Sequence, residues 1–364
     1  MNFDFSDDQK TIQEQARLML GRECPPSLVR DSLESSPPEV DALWQQMVSL
    51  GWPAMAIDEA NGGLGLGYLE LCVTAMELGR SLAPTPFMAS VYFATELIKA
   101  AASAEQQAEW LPVLACGEAI GCAVLPDSRT GVAPLRVSGD NALSGVARGV
   151  LHGDSATFAV VAAEGASGTA FFYVDLGHSS VKRRKLASVD PSLPLAEITL
   201  DATPAEPLAG ERALEDVLAS VVNKAAVLLS FEQVGGCEAA IDMAKAYTEG
   251  RYAFGRQVAS FQAIKHKLAD MFVAKELAKS NAFYGAWAMT DGVNELPLAS
   301  ATAYVSAGNA YYLCSKENIQ AHGGMGFTWE FDCHLYYRRA QLLSTLLGGM
   351  RVWKHRLAEQ ILAA

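Results

Sequence analysis

The sequence predicts an α+β protein whose helical and strand layers are segregated along the chain. Three observations carry that reading. Apolar residues recur at helical spacing up to about residue 120. Short β-branched or aromatic runs bounded by Gly, Asp, Asn and Pro then occupy residues 136–201, and helical spacing returns from Leu214 onward. The expected division is an N-terminal helical domain over 1–121, a middle antiparallel β domain over 122–208 and a C-terminal four-helix bundle over 209–364.

Each element has its own signal. Ser6 with Gln9 makes a capping box, and Ile12, Ala16, Met19 and Leu20 follow on one helical face. Val40, Leu43, Trp44 and Met47 repeat the i, i+3, i+4, i+7 spacing, which Gly51 and Pro53 terminate. After the turn-rich run 61–67, helical patterning resumes from Tyr68 to Arg80, and again from Ala89 and from Ala104. Arg136–Val146, Thr157–Ala163, Thr169–Asp175 and Leu195–Asp201 read as strands; in the last, Ala196, Ile198 and Leu200 alternate with polar residues, giving one buried and one wet face. Long helices are expected over Leu214–Arg251, Phe261–Met289 and Leu298–Ala321, with a last one near Leu342–Leu362.

Composition narrows the function. A chain of 364 residues, half of them hydrophobic and 19% charged, can bury an ample core, and its 30 Gly and 15 Pro are dispersed, which excludes disordered and collagen-like classes. The formal charge of −13 argues against nucleic acid or an anionic membrane as partner. Seven scattered cysteines with no C-x-x-C pair suggest a reducing compartment and no zinc site. The acidic N-terminus is unlike a signal peptide, and apolar stretches such as Met88–Ala102 are interrupted by Glu96 and Lys99, so a cytoplasmic protein is expected.

Two segments carry chemistry. In the run 251–266, Gly255 permits a tight corner, Arg251 offers a planar guanidinium fork for a phosphate, and Gln262 adds an amide. Alone, Arg251 reads more readily as a solvated helix-end arginine than as a phosphate ligand. Gln320-Ala321-His322-Gly323-Gly324-Met325-Gly326-Phe327 brings three glycines within four positions, enough for a backbone concavity facing an anion or a heterocycle, or simply for a helix cap and turn. The two together are a stronger signal than either.

With Phe254-Gly255, Phe261-Gln262, Ala269-Asp270-Met271, Gly62-Gly63-Leu64-Gly65 and Glu77-Leu78-Gly79-Arg80, these segments resemble the acyl-CoA dehydrogenase family over nearly the whole chain. The resemblance implies the helix, β, helix architecture and an FAD bound across a subunit interface. One subunit would hold the ADP half, through Arg251, Phe254, Gln262, Gln320, Gly323 and Gly324 here, while the flavin ring lies mainly in the neighbour. It also implies an acyl-CoA substrate and an electron-transfer flavoprotein or similar acceptor. The family's reaction removes a proton alpha to a thioester as the beta hydrogen leaves as hydride, so it needs a carboxylate base.

That carboxylate is missing from both positions the family uses, which align with Leu347 and Ala225. The arginine that helps hold CoA aligns with Ala226, with Lys224 the nearest substitute, and the flavin-ring motifs of the β domain are replaced around Leu125-Pro126-Asp127 and Gly149-Val150-Leu151. The pattern resembles the non-catalytic-type subunits of heteromeric acyl-CoA dehydrogenases, such as those acting on steroid side-chain CoA thioesters, whose partner supplies the base. Leu346-Leu347-Gly348-Gly349 and His334-Leu335-Tyr336-Tyr337 are similar to that branch. Glu232 and Glu330 stand as displaced bases or ordinary surface carboxylates, and His322 and His334 as acid–base groups or packed histidines. The Tyr311-Tyr312 and Tyr336-Tyr337 pairs read as core or interface filling. Two alternatives remain: a self-sufficient homo-oligomeric dehydrogenase with another base, and a non-enzymatic structural or CoA-binding member of the family.

Overall fold

The computed structural model describes residues 5–35, 38–166, 168–291 and 293–363. Helices come first: α1 (Asp7–Glu23), α2 (Pro26–Glu34), α3 (Pro38–Ser49), α4 (Tyr68–Ser81), a π-helical stretch Met88–Thr95 that runs into α5 (Glu96–Ala101), and α6 (Ala104–Ala115). Strands follow: β1 (Gly121–Val124), β2 (Leu135–Val137), β3 (Ala142–Leu151), β4 (Phe158–Gly165), β5 (Gly168–Asp175), β6 (Val181–Leu186), β7 (Leu195–Pro204) and β8 (Glu206–Pro207). Then come α7 (Leu214–Gly250), the short strands β9 (Tyr252–Ala253) and β10 (Arg256–Gln257), α8 (Gln262–Thr290), α9 (Leu296–His322), α10 (Cys333–Leu343) and α11 (Met350–Ala363). The α+β class and the helix, strand, helix order are as expected.

Local chemistry accounts for most boundaries. Both halves of the Ser6/Gln9 capping box form, and Ser103 with Gln106 builds a second one at α6. Gly51 ends α3 at φ +74°. The run expected as one strand over 136–146 is two, β2 and β3, joined by a turn in which Asn141 takes φ +58°, a conformation asparagine tolerates. The expected last helix near 342–362 is likewise two, because Gly348 and Gly349 at φ +92° and +88° separate α10 from α11.

The chain forms two compact units. The first comprises Met1–Asp31, Tyr68–Ala83 and Ala226–Ala364. Within it α4 and α7 cross at backbone contact: a Cβ on Gly79 would lie 2.0 Å from the Glu232 carbonyl oxygen, and one on Gly235 1.8 Å from that of Met76. Beside this crossing the buried Glu77 carboxylate accepts hydrogen bonds from Arg17 at 2.9 and 2.7 Å and from Gln13 at 2.8 Å. The second unit comprises Ser32–Gly67 and Pro84–Ala225 and holds the sheet, in the order β6-β7-β3-β2-β4-β5-β8 with β1 also on β4. The sheet is mixed rather than wholly antiparallel. Successive segments of β4 pair in parallel with β1 and β2, and the other pairings are antiparallel. Period-two patterning reports which face is buried but carries no strand direction, so the sequence could not show this.

By length and composition α7 could cross a bilayer, although no such stretch was expected; 72% of its most apolar window is nonetheless buried inside the protein, as in the core helix of a globular fold. All seven cysteines are free and six are buried, with burial pushing the Cys24, Cys122 and Cys333 thiols up to about 12. Among the described residues no His, Cys, Asp and Glu side chains group as metal ligands.

Candidate functional site

The Arg251 segment is a two-residue hairpin built on the end of α7. The Arg251 N–H donates to the Tyr247 carbonyl at 2.9 Å, and the Arg251 carbonyl accepts from the Val258 N–H at 2.8 Å. Between those bonds β9 and β10 pair in register, Arg256 opposite Ala253 and Gln257 opposite Tyr252. The connecting residues, Phe254 and Gly255, lie at φ +53° and +77°, the sign sequence of a type I′ turn. Asparagine is the usual first residue of that turn; a phenylalanine held there is strained. Its ring is 96% exposed, in edge-on contact with Phe261 at 6.4 Å, while the Arg256 guanidinium covers the Phe261 ring at 3.9 Å. Gln262 opens α8 with its side chain exposed.

The glycines of the second segment divide the work. Gly323 ends α9 at φ +61°, ψ −137°, a backbone that side chains resist. Gly326 packs on α9, since a Cβ there would lie 2.5 Å from the Ile319 carbonyl oxygen. Gly324 meets neither constraint: a Cβ would find nothing within 4 Å. Nothing among the described residues crowds a side chain at that position.

Both segments come to one end of the helical unit. Tyr247, a turn before Arg251, stacks on His322 at 4.1 Å, and Phe331 closes edge-on against both rings at 5.4 Å. At the start of α8 Lys267 pairs with Glu317 near the end of α9. Arg251, Phe254, Gln262, Gln320, Gly323 and Gly324, separated by up to 73 positions in sequence, are thus gathered at the same end, and all six are exposed. Among the described residues Arg251 makes no ion pair, so its guanidinium is available to an external anion.

The candidate acid–base positions are less equipped. Leu347 is buried, and its carbonyl accepts the Trp353 indole N–H at 3.0 Å. Ala225 is buried within α7, Glu232 is buried beside the α4 crossing, and Glu330 is exposed. His322 donates from Nδ1 to the Asn318 carbonyl at 2.8 Å and His334 to that of Phe331 at 3.0 Å. Burial holds both histidines below the usual imidazole range, for His334 with help from Arg30 and Arg338. Tyr311 is buried in the core, while Tyr312 lies against Tyr337 at 6.0 Å.

The sequence reading missed one charged cluster, in the second unit. Glu96, at the junction of the π-helical stretch with α5, is buried and receives Lys224 Nζ at 2.9 Å and Lys99 Nζ at 3.3 Å. Lys224, suggested by sequence as a substitute CoA contact, is therefore committed to an ion pair. In the same unit Asp127 folds back on its own loop, its Oδ1 accepting from the N–H groups of Arg129 and Thr130 and from the Thr130 hydroxyl, which holds its carboxyl below the usual range. Gly149 sits at an irregularity in the β3–β7 register.

Residues 6–118 match the family described as acyl-CoA dehydrogenase, N-terminal domain, and residues 216–362 that described as acyl-CoA dehydrogenase, C-terminal domain. Acyl-CoA dehydrogenase IpdE2 of Mycobacterium tuberculosis is 30% identical over 357 residues, 98% of each chain. Among solved structures, a Tcur3481-Tcur3483 steroid ACAD variant is 27% identical and superposes over 98% of both chains with a TM-score of 0.87. The ChsE4-ChsE5 complex of M. tuberculosis superposes over the full length of both chains with a TM-score of 0.90 at 24% identity, a likeness of fold.

Proposed function

The chain belongs to the acyl-CoA dehydrogenase family of FAD-dependent oxidoreductases, and from that premise we propose that it is one subunit of a hetero-oligomeric enzyme for α,β-dehydrogenation of an acyl-CoA thioester. In this reading the chain holds the ADP half of an FAD, and a companion dehydrogenase chain supplies the carboxylate base and most of the flavin-ring site. The observation that carries it is polarity. The end bearing Arg251 and Gly324 is open and exposed, whereas both base positions hold buried apolar residues, Leu347 and Ala225. The Tcur3481-Tcur3483 steroid ACAD, a relative whose name joins two polypeptides, supports a two-chain assembly and a steroid-type acyl substrate.

The residues present suit FAD. The free Arg251 fork matches a pyrophosphate, Gln262 and Gln320 offer amides, and Gly323-Gly324 lets backbone N–H groups approach closely. The exposed Phe254 ring, held at some strain, is ready to be covered by a partner or cofactor. When bound, FAD supplies the hydride acceptor. Everything else asked of this chain is binding and orientation, since neither base position can move a proton. Electrons would pass on to an electron-transfer flavoprotein or a similar acceptor, in the cytoplasm, without nucleic acid or membrane partners.

The test is flavin-to-protein stoichiometry together with dye-linked turnover, for the chain alone, for a companion carrying the glutamate, and for the co-expressed pair. The expected result is one FAD per pair of unlike chains and turnover only by the pair. A full complement of FAD and enzyme-like rates from this chain alone would instead establish the homo-oligomeric alternative.

A further inference from the structure

We propose that His322 is the positioning residue of this cofactor end, holding the Arg251 hairpin and the Gly323-Gly324 turn in one register. The inference rests on the FAD reading above and goes beyond it, because His322 is not among the residues assigned to cofactor contact. Its ring is the point at which separate segments meet. One face stacks on Tyr247 at 4.1 Å and 24°, and the Tyr247 carbonyl in turn receives the Arg251 N–H at 2.9 Å. Phe331, from the chain returning after the glycine turn, stands edge-on to His322 at 5.4 Å and to Tyr247 at 5.4 Å. Nδ1–H is fixed on the Asn318 carbonyl at 2.8 Å, and the Asn318 amide itself reaches back to the Met243 sulfur on α7 at 3.4 Å.

Gly323 follows His322 directly, so the orientation of this ring sets where the glycine turn leaves α9, and its stack on Tyr247 sets where α7 delivers Arg251. Burial holds the imidazole below its ordinary range, a direction that favours the uncharged ring and suits a packing role against Tyr247 and Phe331. Without the ring, Tyr247 and Phe331 lose their common partner, and the two segments relax independently. Misplacement of the order of 1 Å is enough to lose most of a charge-assisted contact.

The experiment is a binding cycle on the assembled two-chain protein, reading FAD dissociation by flavin fluorescence and ADP binding by calorimetry for His322→Ala, Arg251→Ala and the double variant, with circular dichroism and thermal melts on each. We expect His322→Ala to weaken FAD roughly tenfold while helicity is retained, and the double variant to bind within about threefold of Arg251→Ala, because residues acting as one unit are not additive. His322→Phe, which keeps the stack and loses the Nδ1–H bond, should recover most of the affinity. Unchanged binding in His322→Ala, or fully multiplicative losses in the double variant, would overturn the assignment. If His322→Ala does not fold, Tyr247→Leu, which removes the stacking partner, takes its place in the same cycle with the same expectations. Unchanged binding in Arg251→Ala would mean that the FAD reading itself is wrong, whereas loss in Arg251→Ala with none in the His322 or Tyr247 variants would remove this inference alone.

Discussion

Arg251 and Gly324 are exposed, and among the described residues the Arg251 guanidinium makes no ion pair and a Cβ at Gly324 meets nothing within 4 Å, so substitutions there separate ligand binding from folding. Arg251→Ala should weaken FAD in the assembled protein by about 2–3 kcal/mol, near a hundredfold, with lysine restoring only part because it lacks the planar fork. Gly324→Val should abolish flavin retention yet leave the circular dichroism spectrum unchanged, given the open space around a Cβ. The buried histidines carry a pH dependence. His322 and His334 titrate below their ordinary 6.5 in the fold, so under acid the unfolded chain binds more protons than the native one. Stability is therefore fully present above pH 6.5 and declines as pH falls below it; melts between about pH 7.5 and about pH 5.5 should show this, with a shallower slope in His322→Phe. At this scale the sequence showed which residues were chemically unusual, through motif resemblance. It could not show that Lys224 is tied to Glu96, because a buried ion pair between residues 128 positions apart leaves no local pattern.

Among the elements, the crossing of α4 and α7 depends most on residue size. Gly235→Ala places a methyl 1.8 Å from the Met76 carbonyl oxygen, where rigid helix backbone must move. The expected loss is about 3 kcal/mol in urea unfolding, at the upper end of ordinary overpacking because the obstacle is main chain rather than a flexible side chain. Elements with caps or clean periodicity, such as α1, α3 and β7, were legible from sequence. The missed ones share a cause: another property masked the pattern. Val181–Leu186 is a strand whose central residues are Lys182, Arg183, Arg184 and Lys185, and such charge on an edge strand discourages edge-to-edge pairing while hiding alternation. α2 is only nine residues long, too short for its periodicity to stand out, whereas the helix expected from Ala89 is present but opens as the π-helical stretch Met88–Thr95.

For the molecule as a whole, the order of layers was legible, but not which distant segments cluster. α1 and α4 join the unit made by the C-terminal helices, a grouping set by shape at the Gly79–Gly235 crossing rather than by chain order. The whole-molecule prediction concerns solubility. Produced without a companion, the chain should bind a hydrophobic dye and sediment in part with the insoluble fraction, and co-expression should suppress both; dye fluorescence and fractionation measure this.

The reason lies in the exposed aromatics Tyr252, Phe254, Phe327 and Trp329 that the hairpin and the loop after the glycine turn leave in water. A cell cannot distinguish such a surface from a misfolding lesion, since chaperones and proteases read exposed apolar area rather than intent. Copies made in excess of their companion would be the ones removed, so the amount of finished enzyme would follow the scarcer chain. These exposed aromatics would thereby act as a dosage control, matching the supply of one gene product to another without any dedicated regulator.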